Sequence, residues 1–270
     1  MSTLPREWGG ISPDRPNIAR MYDYYLGGAH NFAADREAAQ RAIDIFPDLP
    51  RVVQTGRAFL RRAVTFLLEQ GIDQFLDVGS GIPTAGNVHE VAQRANPAAR
   101  VVYVDIDPVA VSHSRSLLRD NPRAGVVLAD ARATDQIFAD PVVARLIDPV
   151  RPVGVLAVSL LHFFPDEAEA GGITQRLYER VASGSYLAVT HATTDRLTDE
   201  MRRQIELVYS RTPSPLVFRT REEIGRLFAG FELVEPGLVY IPEWRPEGPE
   251  DPFYAEPERS NGYAGVGRKP

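Results

Sequence analysis

Apolar residues recur at Val52, Val53, Phe59, Leu60, Val64, Leu67 and Leu68, the spacing of one face of a helix running from Arg51 to Gln70, with Gly71 where a C-terminal cap belongs. Arg57, Arg61 and Arg62 fall on the opposite side and read as a solvated face. The period then changes. Short apolar runs at Gln74 to Gly79, Arg100 to Asp107, Gly125 to Ala129, Pro152 to Leu161 and Tyr186 to His191 have the near-unbroken β-branched character of strands covered on both faces. Between them lie helical patterns at Thr84 to Ala95, Pro108 to Leu118, Thr134 to Ile147 with Pro141 as a possible break, and Asp166 to Ala182 with a weak point at Gly171-Gly172. Strands alternating with helices at this spacing predict right-handed crossovers and a doubly wound, mostly parallel α/β sheet.

The two ends of the chain depart from that rhythm. Phe231 to Ile241 and Gly262 to Arg268 have strand patterns with no helix between them, which predicts an antiparallel pair. The intervening stretch, rich in proline and acids, is expected to be an exposed insertion over residues 242–260. Residues 1–50 have no strand pattern and are expected to form helices and turns near the mouth of the sheet, so the chain divides into an N-terminal helical extension (1–50) and one α/β domain (51–270).

At 270 residues, 44% hydrophobic and 24% charged, the composition is that of an ordinary globular protein. A net charge of −6 gives no footprint for nucleic acid. The absence of cysteine removes disulfides, thiolate zinc sites and thiol nucleophiles together. His30, His89 and His113 have no partner at metal-ligand spacing, so no metal site is expected. The first residues show no signal-peptide pattern, and the longest apolar run, roughly ten residues, is far short of the roughly 20 that cross a bilayer, so the expectation is a cytoplasmic protein without a membrane partner.

The most telling local pattern is Phe75-Leu-Asp-Val-Gly-Ser-Gly-Ile-Pro-Thr84, an apolar strand breaking on an acid-x-Gly-x-Gly turn. Glycine at 79 and 81 permits positive φ and lets a ligand approach the main chain, whose N–H groups are expected to face it. A dinucleotide loop carries a third glycine for the pyrophosphate, and here that place is Thr84 after Pro83. Asp77 would also repel phosphates. The loop therefore suits a ligand with a cationic amino-acid end.

Ligands of open α/β sheets bind at the carboxyl ends of the strands, where the strand order reverses. Those ends offer Asp77, Gly79, Ser80 and Gly81; Asp105 and Ile106; Asp130 and Ala131; Ser159 to His162; and Thr190 and His191. Asp105 lies 24 residues past Gly81, the spacing of a ribose-binding acid. Its rival Asp107 precedes a proline and reads as a helix cap. Asp130 is placed to accept from an adenine amino group, with Ala131 leaving room for the ring, or else caps the next helix. His162 is either a general base or a packing residue beside Phe163 and Phe164.

Phe75 to Gly81, Val104-Asp105, Ala129-Asp130-Ala131 and Leu161-His-Phe-Phe-Pro-Asp166 resemble, in order and spacing, the successive motifs of class I S-adenosylmethionine-dependent methyltransferases. The chain is similar more specifically to a bacterial S-adenosyl methyltransferase family formerly classed as a domain of unknown function. The marks of that family are Arg20-Met-Tyr-Asp-Tyr-Tyr-Leu-Gly-Gly28 with Asn31-Phe-Ala-Ala-Asp-Arg36, and Leu146 to Val153. The resemblance, from about Asp14 to Lys269, implies a seven-stranded Rossmann-like sheet with an antiparallel C-terminal strand and S-adenosyl-L-methionine as cofactor. It implies that Asp77, Gly79 and Gly81 hold the amino-acid part, Asp105 the ribose, and Asp130 with Ala131 the adenine. It also gives the N-terminal segment a role, with Tyr22, Tyr25, Gly27, Gly28, His30 and Asn31 forming either a lid over the cofactor or a capped helix end.

Methyl transfer needs a base only if the acceptor must lose a proton, and His162, His191 and Tyr25 are the candidates by position. The expected function is transfer of a methyl group to a small-molecule acceptor. Two alternatives stand beside it: a non-catalytic binder of S-adenosylmethionine or its demethylated product, and a nicotinamide-dependent oxidoreductase, which Thr84 and the antiparallel ending oppose.

Overall fold

The computed structural model describes residues 12–83 and 86–270. Five parallel strands, β1 (Gln74–Val78), β2 (Arg100–Asp105), β3 (Ala124–Leu128), β4 (Gly154–Val158) and β5 (Tyr186–Ala192), form the body of the sheet. Three more strands, β6 (Glu232–Leu233), β7 (Val239–Tyr240) and β8 (Gly262–Arg268), complete it. The order is β3-β2-β1-β4-β5-β8-β6, with β7 also paired to β8, and β8 runs antiparallel to β5. The expected seventh strand is thus two short pieces laid on β8 and separated by Pro236, which makes eight strands in place of seven.

Each parallel strand feeds two cores. Leu76, Val102, Val104, Val155 and Leu187 point to one face, and Phe75, Val101, Tyr103, Leu156 and Ala188 point to the other. This is the pleat alternation of a strand buried on both sides, which is why the sequence reads as continuous apolar runs. On the second face lie α3 (Leu49–Glu69), α4 (Val88–Ala95) and α5 (Pro108–Leu117). On the first lie α6 (Thr134–Ala139), α7 (Pro141–Leu146), α8 (Glu167–Arg180) and α10 (Arg221–Arg226).

Several boundaries differ from the sequence reading for local reasons. Pro141 does split its helix, and Asp140 caps the second piece by accepting from Val142 N at 2.7 Å. The glycine pair 171–172 leaves α8 unbroken. The helix expected from Thr84 begins at Val88, where Asn87 and Glu90 form a capping box; Thr84 itself lies outside the described residues.

A third, smaller core sits over the carboxyl ends of the strands. It joins α1 (Ile18–Tyr25), α2 (Ala33–Ile45) and the start of α3 to α9 (Asp199–Tyr209), through Met21, Tyr25, Ala38, Val53, Ile205 and Tyr209. The helical cap therefore draws a helix from far along the chain, and the expected boundary at residue 50 falls inside α3. Its internal tie is buried: Arg20 Nε meets Asp35 Oδ2 at 2.8 Å, while Asp35 also accepts from the main-chain N–H of Asn17 and of Phe32. Two of the chain's family-like marks, Arg20 and Asp35, are thus one ion pair.

The stretch 242–260, expected to be an exposed insertion, is exposed along much of its length but is anchored on α3 by a few buried residues. Trp244 is fully buried, edge-on to Phe59 and Phe66 with ring centroids 5.1 and 5.7 Å away. Arg62, expected on a solvated face, is buried beneath it and donates to the carbonyls of Trp244 and Ile241 and to Asp251. A proline- and acid-rich composition concealed one aromatic anchor and one buried guanidinium. Among the described residues no helix is long and apolar enough to cross a membrane.

Replacing Trp244 by Ala is expected to cost about 3–5 kcal/mol in urea unfolding. Trp244→Phe should cost much less, because the indole Nε1 has no hydrogen-bond partner to lose. Equal losses would show that the ring is not the anchor.

Candidate functional site

Order in the sheet reverses between β1 and β4, and a cavity of about 560 Å³ opens at their carboxyl ends. Asp77, Gly79, Ser80, Gly81, Asp105, Ile106, Asp130, Ala131 and Ser159 all line it. The β1 turn has the positive φ values its glycines permit, +72° at Gly79 and +66° at Gly81. A Cβ at Gly79 would lie 2.5 Å from Leu160 Cδ1, whereas one at Gly81 would enter open space.

The main-chain N–H groups of this loop do not face the cavity, contrary to the sequence expectation. Gly79 N and Ser80 N both donate to Val104 O, at 2.8 and 3.1 Å, and Gly81 N donates to Asp105 Oδ2 at 2.7 Å. The loop has spent its donors on β2. These three amides are not offered to a phosphate as those of a pyrophosphate loop are.

The cavity sets acids beside arginines, with Asp77 and Asp105 at its base and Arg20, Arg57 and Arg132 on its walls. Asp77 is 5% exposed, and its carboxylate makes no hydrogen bond among the described residues. Burial pushes this carboxyl up to about 7; Arg57 pulls it down and Asp105 adds to the rise. Asp105 is held at both oxygens, Oδ2 by Gly81 N and Oδ1 by Asp107 N at 2.8 Å. Burial still raises it to about 6 against those bonds. Asp107 caps α5 by accepting from Val109 N, and its Oδ2 lies 3.6 Å from Arg20 with no hydrogen-bond partner. Arg20 thus links the helical cap to the rim of the cavity.

The remaining positions differ in character. Ile106, although apolar, is 58% exposed on the cavity wall. Asp130 accepts from Arg132 N in a local turn and is chelated by the Arg132 guanidinium, so it is not the cap of α6, whose N-cap is Ala133. Ser159 ends β4 at φ +56°, a conformation uncommon for a side-chain-bearing residue, with its N–H donated to Thr190 Oγ1 at 2.8 Å.

Of the expected lid residues only Tyr22 lines the cavity. Gly27, Gly28, His30 and Asn31 are gathered around Asp23, which accepts from His30 N and Asn31 Nδ2, both at 2.8 Å, while Gly28 N donates to the Asp23 carbonyl. They shape the α1–α2 turn. Segments the sequence reading passed over form the wall instead: residues 15–20 ahead of and within α1, Arg57 on α3, and the Pro213-Ser-Pro215 loop after α9. Arg57 had the helical spacing of a solvated side chain, and nothing in the local pattern separated it from Arg61.

All three candidate bases are buried, and burial moves each away from its ordinary range. His191 donates from Nδ1 to Ala192 O and accepts at Nε2 from Arg219, and burial takes it down to about 3. His162 is driven well below the usual histidine range by burial, with His191 and Arg219 adding to it. The Tyr25 hydroxyl sits 3.0 Å from that of Tyr209, and burial raises it well above the usual phenol range. Among the described residues no cluster has the makings of a metal site.

The chain matches the family model described as S-adenosyl methyltransferase over residues 7–270. It is similar to the crystal structure of a putative methyltransferase from Thermobifida fusca YX, 42% identical over 99% of each chain, with a TM-score of 0.89. A DUF574 family protein from Streptomyces avermitilis MA-4680 is 38% identical over 96% of this chain and 99% of that one, with a TM-score of 0.88. The pyocyanin biosynthetic protein PhzM shares the fold, with a TM-score of 0.51 at 19% identity over 83% of this chain and 59% of that one. No curated protein matches the chain. A sheet with an antiparallel β8 beside β5, a carboxylate-lined crevice and a match over nearly the whole length converge: the chain belongs to the S-adenosyl methyltransferase family, and S-adenosyl-L-methionine is its cofactor.

Proposed function

We propose that this methyltransferase acts on a small-molecule acceptor, and that Asp77 and Asp105 are the two carboxylates that hold the cofactor. The observation that carries the assignment is Asp77: a buried carboxylate without a hydrogen bond among the described residues, beside the Gly79, Ser80 and Gly81 amides, which are bonded to β2. Keeping such a group unpaired costs stability, and a ligand with an ammonium end offsets the cost. Asp105, fixed by two main-chain N–H groups, retains lone pairs for a ribose diol. Ile106 and Ala131 offer apolar surface to the adenine, and Asp130 accepts from its amino group once Arg132 gives way. Arg57, which lines the cavity beside Asp77, is a cation for the cofactor's carboxylate.

When bound by Asp77 and Asp105, S-adenosylmethionine would supply an electrophilic methyl carbon on a sulfonium. The chain's part is to orient and to exclude water. Tyr22, at the edge of the cavity, presents its ring to the sulfonium.

Calorimetric titration should give heat with S-adenosylmethionine and none with NAD; heat from NAD alone would end this reading. Asp105→Ala should lose most of the affinity and Asp107→Ala little, and equal losses would make Asp107 the ribose ligand. Because the folded carboxyl of Asp77 lies above its unfolded value, it contributes most to stability at low pH and loses that contribution as pH rises towards 7. Asp77→Asn should therefore raise the melting temperature of the cofactor-free protein at pH 8 while lowering affinity for S-adenosylmethionine at least tenfold, about 1.4 kcal/mol. A fall in both would make Asp77 a structural residue.

A further inference from the structure

A second chamber of about 100 Å³ lies between the helical cap and the ends of β4 and β5. It shares Ile18, Tyr22, Ser159 and Phe163 with the larger cavity, so the two meet at the carboxyl end of β4. No aspartate, glutamate, lysine or arginine lines it. Its walls are aromatic and aliphatic, from Tyr25, Phe46, Val53, Tyr209 and Phe218 among others. Apolar cavities of about 150 Å³ take a benzene ring. This chamber is of that order, and a ring seated in it projects towards the junction.

Two polar groups in the chamber are left over by the protein's own bonding. Asn261, 6% exposed, donates from Nδ2 to Arg259 O, which fixes the amide orientation and leaves Oδ1 buried with no partner. The residue is held in the left-handed region at φ +44°. His162 accepts at Nδ1 from Ala192 N at 3.4 Å, so its proton is on Nε2, which has no partner among the described residues. One waiting acceptor and one waiting donor complement a hydroxyl, which gives one hydrogen bond and takes another.

We propose that this chamber is the methyl-acceptor site, and that the acceptor is an uncharged, single-ring molecule bearing a hydroxyl group. A charged acceptor would leave its solvation for walls without a countercharge, a cost of several kcal/mol. His162 is then a donor to the hydroxyl oxygen and Asn261 Oδ1 takes the hydroxyl proton's bond, so the hydroxyl is the anchor that keeps its proton and the methylated atom is on the part of the ring that faces the junction. This assignment rests on the methyltransferase reading for the neighbouring cavity, but the chamber exists without it.

The test is fluorine NMR with 4-fluorophenol and, as its charged counterpart, 3-fluoro-4-hydroxybenzoate. Each is titrated into the full-length protein with and without S-adenosylhomocysteine, whose own binding is measured by calorimetry. 4-Fluorophenol should bind and the benzoate should bind at least tenfold more weakly. Val53→Trp, which fills the chamber, should abolish phenol binding and leave the S-adenosylhomocysteine heat intact. Asn261→Gly, which keeps the left-handed backbone, should weaken the phenol about fivefold, as the loss of one hydrogen bond does. Equal binding of the two probes, no phenol binding, or phenol binding untouched by both variants would overturn the proposal. Phenol binding without any heat from S-adenosylhomocysteine would keep the chamber and overturn the cofactor assignment instead.

Discussion

The structure turns on the carboxylate of Asp105. By taking Gly81 N on one oxygen and Asp107 N on the other, it fastens the β1 loop to the end of β2 and draws the Gly81 amide away from the cavity. With Gly79 N and Ser80 N already donated to Val104 O, these three amides are turned to β2. A pyrophosphate loop built on a similar glycine pattern keeps such amides for its ligand. The distinction between the two loops lies in where the amides point.

The cost of that arrangement appears as two buried carboxyls held towards neutral pH, Asp77 at about 7 and Asp105 at about 6. Neither is matched by a bidentate arginine. Groups raised by burial and set in a cleft mark a site kept for binding at the expense of the empty fold. The helical cap is tied to the same place, since Arg20 pairs with Asp35 inside the cap and lies 3.6 Å from Asp107 at the cavity rim. The cap core and the cofactor cavity thus share one guanidinium.

The sheet and its strand-end acids were legible because strands buried on both faces write continuous apolar runs, and the acid follows each run directly. The glycine turn at the end of β1 was legible, but not the direction of its amides, which depends on β2 lying alongside. The cap was half legible: α9 buries only Ile205, Val208 and Tyr209 and otherwise reads as a polar helix, and its partners lie more than a hundred residues earlier. For Gly27, Gly28, His30 and Asn31 the sequence left lid and capped helix end both open, because glycine and amide clusters suit ligands and turns alike, and the bonds to Asp23 are visible only in the fold. Arg62 and Trp244 were misread for a related reason: one is an arginine at solvent spacing, the other a lone aromatic in an acidic stretch, and each is buried by the other.

The central claim is that the cofactor's cationic end is received by Asp77, and the proton count on binding tests it most directly. Calorimetric titration of S-adenosylmethionine at pH 7, in two buffers of different ionisation enthalpy, should show net proton release, because a cation beside a carboxyl titrating near 7 drives its proton off. The release should vanish in Asp77→Asn. Binding with no proton change, with proton uptake, or with the same release in the variant would contradict the account.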